Sequence, residues 1–134
     1  MRIGVVAASV LFILLLACVG GAEFFFQRGS NSSAKNPAAL KIAEQLNPFV
    51  SEYFYEDYRL TGDIKVLRQA VFFEPSKPAY HMYYGLALMK QTPRTRFSDQ
   101  EAVAEICKAA RLKPYSKLYQ DTCEQFKKAI PVIG

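Results

Sequence analysis

The chain has 134 residues, about one domain's worth. Hydrophobic residues make up 51%, more than a soluble domain needs, and the formal net charge is +5. One histidine and three cysteines leave little for a structural zinc site, which usually takes four Cys or His ligands, and the chain has no nucleophile elbow, phosphate loop or dinucleotide fingerprint, so it reads as non-catalytic and without a cofactor.

In chain order, residues 1–22 read as a transmembrane anchor or signal segment. Ile3–Gly21 carries no charge and is about long enough to cross a hydrocarbon core as a helix. Three fates are open for it. It is retained as an anchor, or cleaved after Ala22 behind Gly20-Gly21, or processed as a lipoprotein signal with Cys18 acylated after Leu15-Leu16-Ala17. The apolar run exceeds the usual signal core, which favours the anchor. With the N-terminus inside, each fate leaves the rest of the chain extracytoplasmic, in the periplasm if the cell is bacterial. Arg2 on one side and Arg28 and Lys35 on the other leave the positive-inside rule undecided.

Residues 23–36 are polar and rich in Ser, Asn and Gly, and read as a linker. Asn31-Ser32-Ser33 is a glycosylation sequon, meaningful only in a eukaryotic secretory setting. Residues 37–134 then read as a helical domain with no strand. The apolar spacing predicts helices over Pro37–Leu46 and Val50–Leu60, the second stopped by Gly62, and a third capped by Asp63. Ala79–Lys90 follows. Gln91–Phe97 is expected to be a loop, and Ser98 with Glu101 to form a capping box at the start of the next helix. The last helix is expected over Ser116–Ala129, stopped by Pro131.

One phrase recurs three times: Ala43…Leu46…Pro48, Ala70…Phe73…Pro75 and Ala109…Leu112…Pro114. Each is followed five residues after the proline by a tyrosine, Tyr53, Tyr80 and Tyr119. The alanine permits a close helix crossing, the bulky residue covers the helix end and the proline turns the chain. A repeated phrase of this kind marks a helical array in which each unit buries the apolar face of its neighbour. Tyr84-Gly85, the series Ala102–Ile106–Ala109 and Pro114 resemble a tetratricopeptide (TPR) repeat. The preceding unit is shorter, with Ser51 near the expected glycine. The runs Leu46-Asn47-Pro48 and Tyr83-Tyr84-Gly85-Leu86 are similar, less closely, to TPR-like C-terminal segments of O-antigen polymerase and ligase family proteins. The first resemblance implies an all-α hairpin array acting as an adaptor or assembly factor that binds a protein partner or itself. The second implies an accessory to an envelope polysaccharide enzyme, meeting glycan or lipid-linked sugar. An envelope-assembly lipoprotein is a third reading.

Several side chains are candidates for contact with a partner. Tyr53, Tyr80, Tyr84 and Tyr119 can line a binding face, although interhelical packing explains them more simply. Lys90, Arg94 and Arg96, joined by Lys108, Arg111, Lys113 and Lys117, suit an acidic glycan or anionic lipid, or else form a solvated face. The membrane-directed segment argues against nucleic acid. His81 reads as a rim side chain, and Glu52, Glu56 and Asp57 as a solvated acidic face. Cys107 and Cys123 fall on successive helices and are either bridged, which fits an oxidising compartment, or buried as free thiols.

Overall fold

The computed structural model describes residues 2–30 and 36–130, with side chains from residue 9 onward. The sequon, the centre of the expected linker and Pro131 lie outside the described residues. The protein is all-α, with seven helices and no strand among the described residues. Two compact units divide at Gly62 and Asp63, inside the span expected to be one domain.

The first unit contains α1 (Arg2–Ser30), α2 (Pro37–Leu46) and α3 (Ser51–Thr61). α1 carries an N-terminal apolar stretch, and over Ser9–Ser30 it is long and apolar enough to cross a membrane, a property that signal sequences share. Val10 to Leu16 and Val19 are exposed. The helix does not end where the apolar run does. Residues 23–30, expected to open a linker, continue it, and they do so because this part of α1 packs against α2. A Cβ at Gly29 would lie 2.8 Å from Leu40 Cγ and 3.2 Å from the Leu40 nitrogen, and one at Gly21 3.3 Å from Leu46 Cδ1. α2 therefore runs antiparallel to α1, descending from the level of Gly29 to that of Gly21. Ala22, Ala43 and Tyr53 form the core of this unit, with Phe25, Phe26, Leu46 and Val50 against it.

Local signals explain the helix ends. Asn36 caps α2 through Oδ1, which accepts from the Ala38 and Ala39 amides at 3.0 and 3.3 Å, and Pro37 supplies the fixed φ of the first position. α3 ends on Gly62, whose φ of 71° is a left-handed conformation that glycine adopts without a Cβ penalty.

The second unit contains α4 (Ile64–Phe73), α5 (Pro78–Lys90), α6 (Arg96–Leu112) and α7 (Lys117–Ala129). Each packs against the next in chain order. Asp63 caps α4 by accepting from the Lys65 amide at 2.9 Å. At the crossing of α5 and α6 a Cβ on Gly85 would lie 2.6 Å from Ile106 Cγ1 and 2.7 Å from the Ala102 carbonyl oxygen, so only glycine fits. α6 begins one turn earlier than expected. Thr95, not Ser98, is its N-cap. Thr95 Oγ1 accepts from the Ser98 amide at 3.1 Å and Ser98 Oγ accepts from the Thr95 amide at 3.0 Å, so Ser98 takes the reciprocal place expected of Glu101. Cys107 and Cys123 join α6 to α7 by a disulfide with 4.8 Å between their Cα atoms. Around it lie Met82, Val103, Ile106, Ala109 and Ala110.

Candidate interaction site

The repeated tyrosines sit where packing wants them. Tyr53 is buried, its ring 4.8 Å from that of Phe26 and its hydroxyl donating to Glu23 at 3.5 Å. Burial, with Glu23 adding to it, raises its pKa above the ordinary value of 10.0. Tyr80 is buried under Lys77, whose ammonium lies 4.8 Å above the ring and donates to the hydroxyl at 3.2 Å. Tyr84 is also buried, and its hydroxyl donates to Glu101 on α6 at 3.1 Å. Burial, then the Glu101 carboxylate, pushes this phenol up to about 12. None of these three presents a binding surface. Tyr119 differs because α7 is the last described helix, so one side of its ring stays uncovered while the other meets the core.

His81 is fully buried rather than at a rim. Nε2 meets the Pro75 carbonyl oxygen at 2.8 Å and Nδ1 meets Glu105 Oε2 at 2.5 Å. The carbonyl can only accept, so Nε2 donates to it. With both ring nitrogens engaged, His81 ties the turn after α4 to α6. Asp57, expected on a solvated face, is likewise fully buried. Lys41 Nζ reaches Asp57 Oδ2 at 2.6 Å and Glu44 Oε2 at 3.1 Å. Burial alone would depress the Lys41 ammonium, but the two carboxylates outweigh it and hold it above its usual range. Burial raises the Glu44 carboxyl, only partly offset by Lys41.

The basic trio near residue 90 divides. Arg94 is engaged, with Nε and Nη2 donating to Asp99 Oδ1 at 3.0 and 2.9 Å, and so pins the α5–α6 loop to the first turn of α6. Lys90 and Arg96 are exposed and make no ion pair among the described residues. The charge is unevenly divided along the chain. Residues 1–62 hold five Lys and Arg against five Asp and Glu, whereas residues 63–134 hold twelve against seven, which is the whole +5.

An apolar groove lies between α5 and α7, lined by Met82, Tyr83 and Leu86 from one helix and Leu118, Tyr119 and Thr122 from the other, and a more polar hollow lies beside the disulfide between α6 and α7. Leu118 is 70% exposed and Tyr83 44%. The groove encloses about 200 Å³, below the several hundred typical of a small-molecule site, and so suits one or two side chains of a protein segment. Lys90 lies one helical turn beyond Leu86 on α5, and Lys117 precedes Leu118 on α7. Tyr119 is the one residue of this groove that the tyrosine spacing pointed to. Leu118 carries no motif, and Tyr83 figures only in the run Tyr83-Tyr84-Gly85-Leu86, which does not single it out as exposed. Cys18, the acylation candidate, is an exposed free thiol on α1.

No protein-family model matches the chain, and none of the curated proteins does.

Proposed function

We propose that the chain is a non-catalytic, membrane-tethered adaptor of TPR-like build, whose second unit holds a protein segment outside the cytoplasm. The observation that carries this reading is the groove of Tyr83, Leu86, Leu118 and Tyr119, an exposed apolar strip with aromatic walls and cations at its ends. Aromatic and aliphatic anchors in a shallow cleft are what protein hot spots use. The excess positive charge of residues 63–134 favours a partner with acidic residues around an apolar centre. The apolar N-terminal stretch of α1 supports the tether. The Cys107–Cys123 disulfide supports an oxidising compartment, since such bonds are rare in the cytosol.

A photo-crosslinking amino acid at Leu118, in native membranes, tests the reading. A discrete protein adduct from Leu118, weakened by reversing the charge of Lys90 and Lys117 and missing from the exposed Gln69 position on α4, is the expected result. Adducts of equal pattern from Leu118 and Gln69 would sink it. The reading as an accessory to a polysaccharide enzyme rests on exposed Lys90 and Arg96. It predicts binding of an acidic glycan that loss of those two cations abolishes and truncation of Leu118 leaves intact.

A further inference from the structure

The antiparallel pairing of α1 and α2 fixes a direction inside the first unit. Gly29 faces Leu40 near the start of α2, and Gly21 faces Leu46 at its end. Gly21 also lies one residue short of the end of the uncharged run from Ile3 to Ala22. The turn Asn47–Val50, which follows Leu46, is therefore carried past the level of Gly21, alongside the end of the apolar stretch. Tyr53 confirms the heading. It meets Glu23 and Phe26, so α3 climbs back up α1 away from that turn. At a rise of about 1.5 Å per residue, Gly21 to Gly29 is about 12 Å of α1, the height over which the hairpin stands clear of the apolar run.

The composition of that turn differs from its two counterparts. The turn after the second repeated phrase holds Glu74 and Lys77, and the turn after the third holds Lys113. From Gln45 through Ser51 there is no charge at all, and the centre of the turn presents exposed Pro48 and Phe49, the latter 77% exposed. Phe24, on α1 just past Gly21, is exposed as well. Aromatic side chains at the level where an apolar helix meets water are those that settle at a bilayer's headgroup boundary, and an uncharged turn enters that boundary without stripping water from an ion.

We propose that the Asn47–Val50 turn is a second membrane contact, in which Phe49 enters the interface of the bilayer that α1 crosses, with Phe24 beside it at the same surface. This rests on the reading of α1 as a retained anchor. The two contacts make the first unit a rigid foot: one helix through the membrane, one turn resting on it, and a glycine-tight crossing between them.

The chain contains no tryptophan, so Phe49→Trp and Phe12→Trp each create a single tryptophan, excited selectively over the tyrosines, in the full-length protein. Both variants go into vesicles of phosphatidylcholine and phosphatidylglycerol that carry bromine near the headgroup end or near the tail end of the acyl chains. The expected result is blue-shifted Phe49→Trp emission, quenched more by shallow bromine than by deep, with Phe12→Trp quenched more by deep. Quenching of Phe12→Trp together with water-like, unquenched emission from Phe49→Trp overturns the proposal while the anchor stands. Water-like emission from both overturns the anchor and the proposal with it.

Discussion

At the residue scale the informative groups are polar side chains that packing has taken out of water. Tyr84 has a pKa pushed up to about 12 by burial and by the Glu101 carboxylate it donates to. The unfolded chain releases this proton near pH 10, and the folded chain holds it to about 12. Between those values folding takes up a proton, so the stability that this group contributes is complete below pH 10 and is lost as pH rises through 12. Tyr84→Phe is expected to cost about 1 kcal/mol at neutral pH, the size of one hydrogen bond. Denaturant titrations from neutral to strongly alkaline pH should show the advantage of the native protein over Tyr84→Phe shrink once pH rises above 10, and a constant difference would contradict the assignment. Lys41 poses the complementary case. It is the counter-charge of a fully buried Asp57, and Lys41→Met should destabilise by ~3 kcal/mol, as stranding a buried charge does, with much of the loss recovered when Asp57→Leu is added. Glu44 works in the opposite sense to a salt-bridged carboxylate. Its raised value means the folded form holds its proton above the ordinary 4.5, so stability from this group rises as pH falls through that window, and Glu44→Gln should remove the rise.

At the element scale the hairpins are set by three small residues and two glycines. Ala43, Ala70 and Ala109 are all fully buried, and Gly29 and Gly85 let the paired helix come against Leu40 and Ile106, each three residues before one of those alanines. The two glycines should differ in their tolerance. A Cβ on Gly85 would strike the Ala102 carbonyl oxygen as well as Ile106, whereas the nearest atoms to one on Gly29 belong to the movable Leu40 side chain. Gly85→Ala is therefore expected to cost ~3 kcal/mol and Gly29→Ala ~1 kcal/mol, while Gly20→Ala, with nothing within 4 Å, is neutral to thermal melting. Equal losses at Gly85 and Gly20 would deny the close crossing. The alanine–proline phrase and the apolar spacing are local signals, which is why α2 is legible from sequence to the residue and α5 within one. The partner of α2 was not legible. Gln27-Arg28-Gly29-Ser30 has the composition of a linker, and its helicity comes with the packing of Gly29 against Leu40 of α2. His81 and Asp57 were misread for the same reason, since a lone polar residue in a helix says nothing of Glu105 or Lys41, which lie 24 and 16 positions away.

At the scale of the whole molecule the two units differ in charge and in covalent chemistry. The first unit carries no net charge and the apolar span; the second carries the +5, the groove and the disulfide. The bridge spans 16 positions and ties α7 to α6. This matters because Cys123 is the one buried residue of α7 and the side that helix turns to the groove is open to solvent, so little besides the bridge opposes its fraying. Closing a loop of that size removes conformations from the unfolded chain worth ~3 kcal/mol in the loop-entropy account. That benefit belongs to the second unit, where both cysteines lie. Replacing Cys107 and Cys123 by serine in the full-length protein should therefore speed amide exchange across α6 and α7 by ~100-fold, and should leave α2 and α3 exchanging as before. The groove contributed by Leu118 and Tyr119 should loosen with α7, so crosslinking from Leu118 should fall in the same variant. Exchange that quickens evenly through both units would mean that the chain unfolds as one body and that the partner site is held by the foot as much as by the bridge.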